Sequence, residues 1–265
     1  IKKYWDLNKI KKISIHYKED HLVSKCEEIL TNSIKKTLTA DVPVSFYLSS
    51  GVDSSLICAI AKKKLAKNIK TYTLANNDYE HDESINVLKI QKQLNLDSEI
   101  IKIDENKLID NIENLASIYT EPFSDSSQLA IHYLNQHVKE KVILSGDGGD
   151  ELFCGYKRHK FLINLLKTKS FIPSSIFRSL FYIVSKIGKK NFDSKIFHKM
   201  SKNYFLYDKI IKLLKAGSMK NNFDSYYALI SKDYNYNNTQ KKRNLEFYNE
   251  IWDSDISMIN KIIFS

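Results

Sequence analysis

Between residues 44 and 144, short apolar runs alternate with longer amphipathic stretches. This alternation constrains the fold more than any other feature of the chain. Val44, Phe46 and Leu48 follow Pro43 in a run that suits a strand covered on both faces. Residues 69–74, 99–103 and 141–144 read as further strands, and helical spacing predicts helices over 20–38, 82–94, 107–118 and 126–138. Strands separated by helices of this length build βαβ units, so the expected fold is α/β with a doubly wound, mainly parallel sheet. Ligands of such sheets bind beyond the carboxyl ends of the strands, where the strand order reverses.

After Gly155 the texture changes. Residues 162–166, 175–187 and 207–214 read as helices, no further strand stands out, and the polar stretch 233–244 reads as a loop. The expected organisation is a linker over 1–19, an α/β core over 20–159 and a helical C-terminal subdomain over 160–265.

A net charge of +10 raises the question of nucleic acid, and its distribution answers it. Residues 1–154 hold 20 basic against 23 acidic side chains, whereas residues 155–265 hold 21 against 8. Only Arg158, Arg178 and Arg243 are arginines, the residue that reads phosphates and base edges with a bidentate fork. The expectation is a solvated basic face and no nucleic-acid partner. Cys26, Cys58 and Cys154 lie far apart without metal-type spacing, which argues against a zinc site or a disulfide framework. No long apolar run and no apolar leader segment is present, so a cytoplasmic protein without a membrane partner is expected.

Five of the seven glycines fall in two short segments. In the first, LSSGVDSS over 48–55, a strand feeds a tight turn and a helix opens near Val52. The free N–H groups and positive dipole end of such a helix attract an anion. Ser49, Ser50, Ser54 and Ser55 add hydroxyls, and Gly51 lets a ligand approach the main chain. The Gly-Lys-Ser/Thr ending of the ordinary P-loop is absent. Asp53 would repel a phosphate unless a divalent cation lay between them, so the pattern implies a magnesium-bound polyphosphate; its bland alternative is a helix cap. The second segment, LSGDGGDELFCGY over 144–156, is again strand, glycine-rich turn and helix. Ser145 and Gly146 offer hydroxyl and backbone contacts, and Asp147, Asp150 and Glu151 supply more acid than an unaided anion site tolerates.

With these residues in view, LSSGVDSS resembles the pyrophosphate loop of the N-type ATP pyrophosphatases. LSGDGGDELFCGY is similar to the second signature of one branch, the synthetase domain of glutamine-hydrolysing asparagine synthetases. The resemblance covers about residues 40–160 and extends weakly to YWDLN near the start. It implies an adenine-nucleotide alpha-hydrolase-like fold, with ATP and Mg2+ as cofactors and aspartate and ammonia as substrates. It places the main chain of Leu48 and Leu74 at adenine, and Ser145 and Gly146 near the ribose and α-phosphate. Ser49, Ser50, Gly51, Asp53 and Ser54 would lie at the pyrophosphate, with Asp53 and Asp147 as metal ligands. Asp147 would also stand next to the acyl-adenylate and ammonia, and Asp150 would serve metal or aspartate.

Three departures accompany the resemblance. Ser50 stands where the family loop has its second glycine. The N-terminal glutaminase domain with its nucleophilic cysteine is missing, as are the Arg-X-Pro-Phe-Leu-Asp-like stretch and the pyrophosphate-neutralising lysine. The expectation is therefore the middle of a longer enzyme, homodimeric when full length, with weak or no synthesis by this piece alone. Two alternatives remain open: a relative that amidates a sugar acid in surface-polysaccharide assembly, and an inactive nucleotide-binding fragment.

Overall fold

The computed structural model describes residues 18–75, 84–121, 125, 127–195, 206–230, 251–252, 258 and 261. Residues 1–17 of the linker expected over 1–19, and the expected loop at 233–244, lie outside them; Glu19, expected in the linker, opens the first helix. The chain divides between Gly149 and Asp150 into two compact units. The expected core ran on to residue 159; Leu162, on the helix that starts at Lys157, packs with Tyr226, Ile251 and Trp252 within the second unit.

The first unit contains, in order, α1 (Glu19–Thr37), β1 (Val44–Tyr47), α2 (Val52–Ala59), β2 (Lys70–Ala75), α3 (Ser84–Leu94), β3 (Asp97–Lys102), α4 (Glu105–Asp110), α5 (Leu115–Ile118), α6 (Ser127–Asn135) and β4 (Val142–Leu144). The four strands form one sheet in the order β3-β2-β1-β4, every pair parallel. Tyr47 lies opposite Tyr72 of β2, and Phe46 lies opposite Leu144 of β4. Successive side chains of a strand point to opposite faces, and both faces of this sheet are dressed. Phe46 and Leu48 pack with Ile34 of α1, Cys58 of α2 and Val87 of α3. Tyr72 and Ile101, joined by Tyr47 and Leu74, pack with Tyr133 and Leu134 of α6. Phe46 and Tyr72 are fully buried, each removing apolar area worth about 2–3 kcal/mol. This is the doubly wound α/β architecture that the alternation implies.

Two local departures have physical causes. The single helix expected over 107–118 is two short ones. Asp104 caps α4, its carboxylate accepting from the N–H groups of Asn106 and Lys107, so α4 starts early. At the far end Asn111 exchanges amide hydrogen bonds with Gln136 and donates to the Lys107 carbonyl at 2.9 Å, which ends the helix. Apolar periodicity does not report such amide pairing. The second departure follows α2, where residues Ile60–Lys64 form a π turn and Leu65 N–H reaches the Ile60 carbonyl.

The second unit is helical in its described residues: α7 (Gly149–Phe153, entered from the first unit), α8 (Lys157–Lys169), α9 (Ser174–Lys195), α10 (Leu206–Ser218) and α11 (Asn222–Ile230). The sequence reading contains no α11. Asn221 is in fact its cap, Oδ1 accepting from Asp224 N–H at 2.7 Å. The Lys169 ammonium donates to the Met219 carbonyl and to Ser225 Oγ, both at 2.8 Å, and burial holds its pKa below the usual lysine value. Ser225, fully buried, also bonds the Ala216 carbonyl, so α8, α10 and α11 share one polar clasp.

Beside that clasp, α9 and α10 meet where Gly217 faces Phe177. A Cβ at Gly217 would stand 2.4–2.9 Å from three ring atoms. We expect Gly217→Ala to destabilise the chain by about 1–3 kcal/mol through overpacking. Denaturant unfolding measures it; an unchanged midpoint would show that Phe177 yields without cost.

Candidate active site

The order β3-β2-β1-β4 fixes where the two glycine-rich loops sit. The chain runs outward from β1 to β2 and β3, then returns to place β4 on the other side of β1. The reversal of strand order therefore lies between β1 and β4, the place where such sheets bind ligands. Because the two strands are parallel neighbours, the loops that follow them leave the same edge side by side.

The loops touch. A Cβ at Gly146 would stand 2.7 Å from the Ser54 amide nitrogen and 3.0 Å from the Asp53 carbonyl carbon. A Cβ at Gly149 would stand 2.5–2.9 Å from the carboxylate atoms of Asp53. Glycine at both positions is what allows the second loop to close over the start of α2. Gly148 is different: its φ is +89° and nothing surrounds the missing side chain, so torsion alone requires glycine there.

In the first loop Gly51 occupies the cap position of α2, and no side chain caps the helix. Asp53 thus lies inside the first turn, where the helix dipole favours an anion but no capping bond is made. The serines form a mesh. Ser49 Oγ and Ser54 Oγ lie 2.9 Å apart, Gly51 N–H donates to Ser49 Oγ at 3.1 Å, and Ser55 Oγ donates to the Gly51 carbonyl at 2.8 Å. Ser50 is not among the residues with positive φ, so serine replaces glycine there without backbone strain. Leu48 N–H is committed to the Tyr72 carbonyl of β2 at 2.9 Å, and its carbonyl accepts from Thr73 Oγ1 at 2.7 Å. Of the Leu48 main chain, the second lone pair of that carbonyl remains to meet a ligand. Thr73 is a residue that the sequence reading missed. Leu74 points to the opposite face of β2, toward the Tyr72 cluster.

In the second loop Ser145 Oγ donates to Asp147 Oδ2 at 2.9 Å. Tyr47, the last residue of β1, donates its hydroxyl proton to Asn135 Oδ1 at the end of α6. Burial raises the Tyr47 pKa above the usual phenol value, the Asn135 bond lowers it, and the charge of Asp147 raises it further, followed by Tyr119. Tyr47 is not among the residues that the sequence motifs single out; a phenol on the final residue of a strand that enters the site was the available signal.

The remaining expected residues belong to the second unit. Asp150 folds back on Gly155, where a Cβ would stand 2.0 Å from Asp150 Oδ1, and Gly155 N–H donates to the Asp150 carbonyl at 2.9 Å. Between them Cys154 holds a left-handed φ of +54°, and burial raises its thiol pKa, the opposite of an activated thiolate. Tyr156 donates to Glu151 Oε1, which lowers the glutamate pKa. The Arg158 guanidinium lies 3.8 Å over the Tyr156 ring. Among the described residues no three metal-ligating side chains converge.

The asparagine synthase family model matches residues 25–251. The chain belongs to the asparagine synthase family. It is 25% identical to asparagine synthetase (glutamine-hydrolyzing) 1 of Bacillus subtilis over 173 residues, covering 64% of this chain and 27% of that protein. It is 30% identical to the amidase chyE of Penicillium rubens over 173 residues, covering 58% of this chain and 26% of that protein. The chain thus spans about a quarter of these curated relatives. Among solved structures, the NH3-dependent NAD synthetase from Campylobacter jejuni aligns with a TM-score of 0.38 at 18% identity, over 76% of this chain and 95% of that one. The architecture of this family member therefore rests on its own sheet order and registers. No helix among its described residues is long and apolar enough to cross a membrane.

Proposed function

We propose that this chain carries the nucleotide-binding part of an ATP-dependent amide ligase that converts the side-chain carboxylate of aspartate to the amide of asparagine. The observation that carries the reading is the contact of the two loops at the reversal of strand order, with Gly146 against Ser54 and Gly149 against Asp53. In this reading Ser49, Ser50, Gly51 and Ser54, with the first N–H groups of α2, receive the β- and γ-phosphates. Leu48 and Leu74 flank adenine; Ser145 and Gly146 lie at the ribose and α-phosphate.

Asp53, whose carboxylate lies against Gly149, fits magnesium, and Asp147 is its second candidate ligand. When bound, the ion would screen the charge of the departing pyrophosphate. The serine mesh gathers the Ser49 and Ser54 hydroxyls and the Gly51 N–H at the start of α2, where the hydroxyls would have to exchange their bonds to one another for bonds to that charge. The aspartate carboxylate oxygen forms the new bond to the α-phosphorus as the bond to pyrophosphate breaks. Ammonia then forms the C–N bond, AMP leaves, and Asp147 orients the nitrogen or takes its proton. Asp150 contributes to metal or aspartate binding. Ammonia would come from the hydrolysis of glutamine, which the name of the B. subtilis relative states for that enzyme.

Exchange of labelled pyrophosphate into ATP tests this reading, because it reports adenylation without needing ammonia. We expect exchange that requires both aspartate and magnesium. If a uronic acid supports it and aspartate does not, the sugar-acid reading replaces this one. If no carboxylate does while MgATP binds, the chain is a nucleotide-binding fragment.

A further inference from the structure

Leu48 is the residue at which the chain of β1 leaves the sheet. Its N–H still bonds the Tyr72 carbonyl at 2.9 Å, but one residue on the Ser49 N–H has turned to Ser54 Oγ at 3.1 Å. Continuing the register that pairs Tyr47 with Tyr72 puts Leu48 opposite Thr73. The next bond of a parallel ladder would then run from the Leu74 N–H to the Leu48 carbonyl. Among the described residues that bond is not made. The carbonyl accepts from Thr73 Oγ1 instead, at 2.7 Å, and Thr73 is only 2% exposed, so its single hydroxyl proton has no competing use in water. Side chains stand off the plane of a sheet, so this bond draws the carbonyl out of line with Leu74. The Tyr72 carbonyl faces β1, and the alternation of the strand turns the N–H and carbonyl of Leu74 the same way, toward the gap that β1 has left.

We propose that Thr73 is a positioning residue that holds the Leu48 carbonyl away from Leu74, keeps the Leu74 donor and acceptor open, and so sets which base the site accepts; the inference rests on the ligase reading above, in which Leu48 and Leu74 flank the base. Adenine carries its N6–H donor beside a ring-nitrogen acceptor, whereas guanine puts the O6 acceptor in place of that donor. The N–H and carbonyl of Leu74 match the first pattern. Against guanine the Leu74 carbonyl meets O6, and two acceptors face each other without a proton. Without the Thr73 hydroxyl, the Leu48 carbonyl is free to take the Leu74 N–H, which closes the ladder by one bond and removes the donor. The serine mesh has its own bonds, among Ser49, Gly51, Ser54 and Ser55, so the phosphate end does not need Thr73.

The test measures binding of MgATP, MgGTP and magnesium tripolyphosphate, a probe with no base, to the natural chain and to Thr73→Val, which keeps the shape of the side chain and removes the hydroxyl. We expect the natural chain to prefer MgATP over MgGTP, and the valine variant to lose about tenfold of that preference, the worth of one placed hydrogen bond. Tripolyphosphate should bind both chains alike, and Thr73→Ser should restore the preference. Thr73→Ala gives the same comparison if the valine variant does not fold. An unchanged ratio of MgATP to MgGTP affinity, an equal loss for all three probes, or a serine variant no better than the valine one overturns the role of the hydroxyl and leaves the ligase reading standing. Absence of MgATP binding to the natural chain removes that reading itself.

Discussion

Gly146→Ala should lower ATP affinity and pyrophosphate exchange by about 100-fold. The added methyl would stand 2.7 Å from the Ser54 amide nitrogen and 3.0 Å from the Asp53 carbonyl carbon. Both are main-chain atoms of the first turn of α2, so no side chain can swing aside. Relief has to come from a displacement of one loop relative to the other. Displacements near 1 Å in a positioned site cost on the order of 100-fold, and overpacking costs about 1–3 kcal/mol of stability. Gly148→Ala provides the control from the same loop. Its missing Cβ meets nothing, and its φ of +89° makes alanine strained by about 1–2 kcal/mol. The two variants should thus lose similar stability, while only Gly146→Ala loses the nucleotide. Equilibrium unfolding and ATP titration on both proteins make the comparison, and parallel losses of binding would mean that loop contact is not what builds the site.

That contrast also shows what local sequence can and cannot report. The sheet was legible because β1 and β4 are short apolar runs, β2 and β3 carry apolar and aromatic residues such as Tyr72, Leu74 and Ile101, and helices lie between them, a pattern contained within a few residues. The glycine clusters were legible as unusual, yet not for their reasons. Sequence alone suggests special torsions or ligand approach. Of the five clustered glycines only Gly148 holds a positive φ, and Gly146 and Gly149 serve contacts with Asp53 and Ser54, far away in the chain. The same holds for Asn111, which stops α4 through Gln136, and for Tyr47, whose partner Asn135 sits on α6. Long-range amide and phenol pairs leave no periodic trace. Asn221 illustrates a local failure instead, since a capping asparagine and a loop asparagine look alike until the apolar face of α11 is seen to pack with Leu162 and Trp252.

The sharpest chemical expectation concerns Asp53. As a mere first-turn acid it would add about 0.3–1 kcal/mol to α2 through the helix dipole and nothing else. As the carboxylate facing a magnesium-bound polyphosphate it does the opposite to two forms of one ligand: it attracts the metal complex and repels the free tetra-anion. Asp53→Asn keeps the volume beside Gly149 and removes the charge. We expect MgATP to bind about 100-fold more weakly to this variant, since magnesium loses its protein carboxylate. ATP with the metal chelated should bind more tightly than it does to the natural chain, because the repulsion is gone while the N–H groups of α2 and the serine mesh remain. The sign of the two changes is the discriminating result. Calorimetric titration with and without chelator measures both, and thermal unfolding of the same variant measures the dipole contribution. If both forms weaken together, Asp53 acts through the shape of the loop. If neither changes, the acid is a helix-end ornament, and the metal-bridged reading of the first motif falls with it.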